Sequence, residues 1–318
     1  MKYNQRAEKI MQAVGHAVVG KDDAVAKILM AILAKGHILL DDIPGVGKTT
    51  TALAFSKAMQ LEFSRLQFTP DVLPTDVVGF SMYDKESGEF RFQPGAAFCN
   101  LFLADEINRT SSKTQSALLE VMEEGRITVE GVTRPMPSPY VVIATQNPVG
   151  SIGTQMLPES QLDRFIIRLN MGYPDRAGEI EILKRRHDHN PLDTLEPAVQ
   201  IADILQMQKE VEAVHVDDAI YAYIADLAAA TREHPRIELG LSPRGSIALI
   251  RMAKAAAYVY GRSYVTPDDV QDVFTDVAAH RVVLSSRAKV NNLTVEQVLA
   301  DAVGQVDVPP VVKPSEAP

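Results

Sequence analysis

The run PGVGKTT at 44–50 is the most chemically pointed stretch of the chain. A triphosphate carries about four negative charges, so its site must supply many donors at close range. Gly45 and Gly47 free the backbone to aim successive N–H groups at phosphate, and the following helix adds its positive end. Lys48 offers a mobile cation to the β- and γ-phosphates, and Thr49 offers a hydroxyl to Mg2+. Pro44, Gly45, Val46, Gly47, Lys48, Thr49 and Thr50 are therefore the expected nucleotide contacts. The strict form of this loop has glycine six residues before the lysine, where this chain has Asp42.

Downstream, the apolar run Leu101–Ala104 delivers Asp105 and Glu106. Asp105 would hold a Mg2+ shell, and Glu106 would take a proton from, or orient, an attacking water. Alone, an Asp-Glu pair after an apolar run is usually a strand meeting solvent. Behind a phosphate loop it reads as the water-handling half of a hydrolytic site. Asn147 ends another apolar run, VVIATQN. Its neutral amide can bond the γ-phosphate or the water without adding repulsive charge. Phosphoryl transfer builds charge on the γ-oxygens, which an arginine from a neighbouring subunit can offset, and Arg164 in LDRF is placed for that role. In LSPRG, Ser242 can cap a helix with Pro243 in its first turn, holding Arg244 where it reaches nucleotide from a helical domain. Taken singly, either arginine reads as a surface salt bridge.

These groups need rigid supports. His37–Leu40 is a short apolar run ending in Asp41-Asp42, and 49–60 has the composition of a helix. Strand, loop and helix in that order give the phosphate loop its physical setting. Further strands are expected at Glu62–Gln67, Leu101–Ala104, Tyr140–Thr145 and Phe165–Leu169, mostly separated by helices. That alternation predicts an α/β fold, with a parallel sheet covered by helices on both faces. Residues 5–34 read as helical, broken at Val18-Val19-Gly20. Two hairpins interrupt the alternation. One spans 79–94, with Phe90 and Phe92 alternating after a Glu-Ser-Gly turn; the other spans 125–138, turning at Glu130-Gly131.

From 175 the chain is helical and Ala-rich, with no convincing buried strand. Ile220, Ile224 and Leu227 share a face behind Asp217; Val270, Val273, Phe274 and Val277 do so behind Thr266 and Pro267. The expected organisation is an αβα nucleotide-binding domain over 1–174, an all-α domain over 175–308 and a disordered Pro-rich tail over 309–318.

Bulk properties narrow the classes. The 318 residues are 46% hydrophobic and 23% charged, the balance of a soluble globular protein. No apolar stretch approaches the roughly 18 residues of a membrane span. The N-terminus lacks the apolar region of a signal peptide, and the single Cys99 excludes an internal disulfide, so a cytoplasmic protein is expected. Cys99 sits in an apolar run, which predicts a buried, inert thiol. A net charge of −9 and a pI near 5.3 disfavour nucleic acid as a partner.

Val18-Val19-Gly20, PGVGKT, LFLADEINR, ATQNP, LDRF and LSPR stand in the order and spacing of the AAA+ ATPases. FTPDVLPTDVVG, EFRFQPG, KTQSALLEVMEE, VIATQNP and LPESQLDRF resemble the MoxR family more narrowly, nearly without gaps over residues 14–175 and more loosely through the helical region. The resemblance implies ATP and Mg2+ as cofactors. It implies Lys48 and Thr49 for phosphates and magnesium, Asp105 and Glu106 for magnesium and water, and Gly20 near the adenine. Asn147 becomes a first sensor, Arg164 a trans-acting finger, Arg244 a second sensor in a helical lid, and Arg109 a second interface arginine. It further implies a homo-oligomeric ring, expected as a hexamer, with a client protein and a von Willebrand A domain partner. The work would be chaperone-like remodelling, complex assembly or metal-cofactor insertion. The hairpins, otherwise simple surface decoration, would line the pore or face clients. One departure lies on the loop to Arg164: family members often read Gly-Thr-Tyr-Pro-Leu-Pro-Glu, where this chain has Gln155-Met156 between Thr154 and Leu157. Alternatives are a magnesium-chelatase-like ATPase subunit and, disfavoured by the acidic charge, a nucleic-acid motor.

Overall fold

The computed structural model describes residues 3–43, 45–146, 157–188 and 190–311; Pro44, Asn147, the Gln155-Met156 departure and tail residues 312–318 lie outside them. Along the chain the elements are α1 (Gln5–Ala17), α2 (Asp22–Leu33), β1 (Ile38–Asp41), α3 (Lys48–Ala58), β2 (Phe63–Gln67), α4 (Pro74–Val78), β3 (Gly79–Asp84), β4 (Glu89–Pro94) and β5 (Leu101–Asp105). Then come α5 (Ser112–Glu124), β6 (Arg126–Val129), β7 (Val132–Pro135), β8 (Val141–Gln146), α6 (Glu159–Leu162), β9 (Ile167–Leu169) and α7 (Arg176–Asp188). The remainder is α8 (Ile201–Glu212), α9 (Asp218–Glu233), β10 (Ile237–Leu239), α10 (Pro243–Val259), α11 (Pro267–Ala278), β11 (Val283–Leu284), α12 (Ser286–Val290) and α13 (Val295–Val303).

All five expected strands pair, in the parallel order β2-β5-β8-β1-β9. β5 is buried along its whole length and β8 up to Gln146, because helices cover both faces and leave no solvent side for alternation to mark. The last strand is shorter than expected: Phe165 and Ile166 precede it, and Ile166 reaches the sheet only through its N–H to the His37 carbonyl. Both hairpins form as expected, 79–94 in the register Tyr83 to Phe90 and 125–138 around Glu130 and Gly131, both with positive φ. The base of the first hairpin is closed backbone to backbone. A Cβ on Gly79 would lie 2.4 Å from the Gln93 carbonyl oxygen, and one on Gly95 would lie 2.4 Å from the Gly79 nitrogen, so neither position accepts a side chain.

The helical half departs from expectation in one respect. β10 and β11 form a two-stranded antiparallel ladder that holds Ile237 and Leu284 in the core. Strands this short carry no readable period, so the sequence shows only loops there. The caps are as expected: Asp217 accepts the Ala219 N–H at 2.9 Å, and Ser242 accepts the Gly245 N–H at 3.1 Å.

Helix α2 explains how the halves join. Its residues Val25, Ala26 and Ile28 to Leu33 are buried, which a helix achieves only when it is covered on every side. α1, α8 and α10 all pack on it. Gln208 donates to the Ile32 carbonyl at 2.9 Å, and Lys27 pairs with Asp276 at 2.8 Å. Farther along, α11 lies against β9, and Arg281 beyond it is almost wholly buried. Its guanidinium donates to Asp163 Oδ1 at 2.7 Å and to the carbonyls of Phe165 at 2.6 Å and Ile166 at 3.2 Å. A buried cation is tolerated because most of its donors find acceptors. The helical half therefore lies along α2 and the β9 edge. Among the described residues no helix is long and apolar enough to cross a membrane. Cys99 is buried, and burial pushes its thiol up to about 12.

His37 ties β1 to its neighbours. Its Nδ1 accepts the Val142 N–H at 3.0 Å, so Nε2 carries the proton that bonds the Met122 carbonyl at 2.9 Å. Burial lowers its pKa to about 4, with the Met122 carbonyl opposing. The unfolded chain therefore binds this proton first, and stability falls as pH drops from about 6.5 toward 4, by on the order of 3 kcal/mol. Urea unfolding between pH 7 and 4 checks this: the midpoint should fall more steeply with acid in the parent than in His37→Asn.

Candidate active site

The phosphate loop begins where β1 ends. Gly45 and Gly47 hold φ of +88° and +96°, a region open to glycine and strained for other residues. Gly47 is also the N-cap of α3, so the cap residue itself puts no side chain on the helix end, and the first turn holds no acid. That end is left to bind an anion. Asp42, the departure from the strict motif, has a structural task. Its Oδ1 accepts the Ile43 N–H at 2.8 Å and its Oδ2 the Gly172 N–H at 2.6 Å, bracing the loop against the chain leaving β9. Lys48 Nζ donates to the Asp42 carbonyl at 2.6 Å. Burial pulls the Lys48 ammonium below its ordinary range, while Asp42, Asp105, Asp41 and Glu106 oppose the shift.

Asp105 and Glu106 sit at the same end of the sheet, one strand away across β8. Thr145 joins them: its hydroxyl donates to Asp105 Oδ1 at 2.6 Å and accepts the Glu106 N–H at 2.9 Å. Arg65 from β2 holds the other oxygen, Asp105 Oδ2, at 2.6 Å. Glu106 adopts a left-handed backbone, φ +56°, which is unusual for a residue with a Cβ. Its carboxylate meets Arg109 at 2.8 Å and Gln67 at 3.4 Å. Arg109, expected at a subunit interface, thus lies beside the acid of its own chain.

These groups line one cleft of about 700 Å³, with Gly45 to Thr50, Arg65, Gln67, Asp105 and Glu106 on one side. Val18, Val19, Tyr173, Ile182 and Leu183 form the other. Tyr173 is 74% exposed and Leu183 68%, so this wall offers apolar surface to a flat base. Gly20 itself does not line the cleft, although its neighbours Val19 and Lys21 do; its φ is +69° and its Cβ position lies 3.9 Å from Gly178 Cα. Size alone does not select this cleft. A hollow of about 760 Å³ lies between α1, α2 and Arg185, but it carries Glu8, Asp22 and Asp23 and no phosphate loop. Thr49 and Asp105 share the phosphate cleft, and a hydroxyl plus one carboxylate is the oxygen set that Mg2+ takes alongside phosphates. The residues present fit that ion.

The two remaining arginines lie elsewhere. Arg164 stands before β9, whose residues pair in parallel with β1, so it sits at the opposite end of the sheet from the phosphate loop. At about 3.3 Å per residue, the strand alone exceeds the reach of an arginine side chain. Arg164 Nε donates to Glu123 at 2.9 Å. Arg244, expected to reach nucleotide from its own helical half, donates to the same Glu123 at 2.8 Å and is absent from the cleft. The reason is the placement of the helical half along α2 and β9, which carries the start of α10 to Arg164 and not over the phosphate loop. Hydrogen bonding from Arg164, with Arg244 adding to it, holds the Glu123 carboxyl below its usual range.

Thr145, Arg65, Gln67 and Glu123 were not singled out from sequence. Thr145 stands beside Asp105 because Ala104 pairs with Ala144, a register that only the folded sheet sets. Glu123 had no usable signal, since its partners come from points 41 and 121 residues away.

Comparison with known proteins agrees with this architecture. Residues 37–167 match the family model described as ATPase family associated with various cellular activities (AAA), and residues 229–302 match that of the AAA lid domain. The uncharacterized protein YeaC of Bacillus subtilis is 46% identical over 95% of this chain and 94% of its own length. A crystal structure of a protein from Cytophaga hutchinsonii superposes with a TM-score of 0.90 at 36% identity, covering 96% of this chain and 95% of that one. Chaperone MoxR1 of Mycobacterium tuberculosis is 39% identical over 96% of this chain and 82% of its own length. Similarity of that extent, spanning both the sheet and the helical half, means that the chain belongs to the MoxR family of AAA+ ATPases.

Proposed function

We propose that the chain hydrolyses ATP at sites completed between neighbouring subunits of a homo-oligomeric ring, and that the cycle drives remodelling of a client protein. The observation that carries this reading is the separation of the phosphate loop and acids from Arg164 and Arg244 at opposite ends of one parallel sheet. Two complementary surfaces at opposite ends of one subunit make a head-to-tail contact, which closes into a ring when the rotation allows. A hexamer is the proposed closure.

Within each site the chain's own groups have separate tasks. The Gly45–Gly47 backbone, the α3 end and Lys48 bind the phosphates, and the Val18-Val19 and Tyr173 wall holds the base near Gly20. Mg2+, bound by Thr49 and Asp105, would neutralise charge on the β- and γ-phosphates. Glu106 orients the water and takes its proton, with Thr145 fixing its backbone. Asn147 is the proposed amide sensor. Arg164 and Arg244 of the neighbour meet the charge that develops on the γ-phosphate. The division at 174/175 into a nucleotide domain and a helical lid belongs to this reading, as do a cytosolic location and a von Willebrand A domain protein as partner.

The hairpin β3–β4 is the proposed client-facing element. Phe80, Met82, Tyr83 and Phe90 are all exposed on it, with Phe90 69% exposed and its ring 5.4 Å from that of Tyr83. Arg134 of the second hairpin stacks 4.1 Å over Phe92, linking the two inserts.

Hydrolysis per chain should rise steeply with protein concentration and level off once the ring forms. Phosphate release measured across a dilution series, alongside sedimentation, checks this. A rate per chain that stays constant down to a sedimenting monomer refutes the shared site.

A further inference from the structure

Glu123 is a carboxylate set between two arginines that the cycle above leaves without a task. It sits in the last turn of α5 and accepts Arg164 Nε through Oε2 at 2.9 Å and Arg244 NH2 through Oε1 at 2.8 Å. Arg164 gives a further N–H to the Ser160 carbonyl at 3.2 Å. A guanidinium has five N–H donors in a planar fork, so each arginine retains donors beyond those used here.

The arginines come from distant parts of the chain, and their backbones are fixed from behind by one group. Arg281 bonds the carboxylate of Asp163 and the carbonyls of Phe165 and Ile166, on both sides of Arg164. Gly245, next to Arg244, lies against the same side chain: a Cβ there would come 3.0 Å from Arg281 Cδ and 2.4 Å from Leu241 Cδ1. Arg281 thus sets the two backbones side by side, and Glu123 ties the two side chains together in front.

We propose that Glu123 is a positioning residue that joins Arg164 and Arg244 into one two-armed cationic unit, presented to the nucleotide of the adjoining subunit. This rests on the proposal that both arginines act between subunits. Without the carboxylate, two like charges stand side by side and repel, and two long side chains lose their common alignment. Stability is not the point of the arrangement. Glu123 is 39% exposed in its side chain, and exposed ion pairs contribute little to folding. Its removal is therefore expected to leave the fold and the chain's own phosphate cleft intact.

The test is hydrolysis by mixed full-length chains. Glu123→Ala should lower kcat by roughly 10- to 100-fold, with binding of a fluorescent ATP analogue unchanged. Glu123→Gln, which keeps one acceptor oxygen, should fall between it and the parent. A Lys48→Ala chain cannot hold phosphates in its own loop but carries Glu123, Arg164 and Arg244. Added in excess, it should restore hydrolysis by Glu123→Ala, and Lys48→Ala/Glu123→Ala should not. Parent-like kcat for Glu123→Ala overturns the proposal. So does a loss that Lys48→Ala fails to rescue while it rescues Arg164→Ala in parallel, since that marks damage to the variant's own site. If Arg164→Ala itself is not rescued, the site between subunits is wrong, and the coupling role falls with it.

Discussion

Glu106→Gln is expected to slow ATP hydrolysis by roughly 10²- to 10⁴-fold, the range that a positioned general base supplies, while ATP binding stays near the parent level. The geometry explains why the two effects separate. Glu106 stands at the end of β5 with a left-handed backbone, and its N–H is fixed by Thr145 at 2.9 Å. A glutamine there keeps the shape of the side chain and leaves the phosphate loop, α3 and Lys48 untouched. What it removes is the carboxylate proposed to accept the proton of the attacking water. Single-turnover phosphate release and equilibrium binding of a fluorescent ATP analogue, on the same preparation, measure the two quantities. A parent-like rate would place the base elsewhere.

Arg164→Ala is the second large effect. In assembled protein it should lower hydrolysis on the order of 10³-fold or more, as for arginines that enter a phosphoryl-transfer site from a neighbouring chain. The affinity of the variant for ATP should change little, because Arg164 stands at the far end of the sheet from its own phosphate loop. The defect should therefore appear in kcat and not in binding. Sedimentation at the assay concentration tests whether the proposed rings are present. Unchanged hydrolysis in assembled protein would remove Arg164 from the reaction and leave its contact with Glu123 as an ordinary surface pair.

Much of the nucleotide cleft was legible because its parts are local. A loop, the strand before it and the helix after it lie within a few residues, and their glycines, lysine and apolar runs carry the information directly. The five strands were legible for the same reason, and so was the turn at Glu130-Gly131. What failed to show depended on contacts between distant segments. Arg65 reaches Asp105 only because β2 pairs with β5. Which site Arg244 faces was not legible, because a cap such as Ser242 tells where a helix begins, not which end of a sheet that start approaches. The ladder of β10 and β11 was missed because strands of three and two residues are too short to show a period.

Helix α2 belongs to both halves of the chain, since the apolar core that surrounds it runs from Ala7 in α1 to Leu299 in α13. Turning the helical half against the sheet would strip cover from Ile28, Leu29 and Ile32, at about 25 cal/mol for each Å² exposed. The pairs Lys27–Asp276 and Arg281–Asp163 would part as well. No soft joint separates the two halves at these points. In the proposed ring, a stroke driven by hydrolysis would therefore cost least where one chain meets the next, with each subunit travelling as a rigid block and its hairpins as fixed teeth on a turning wheel.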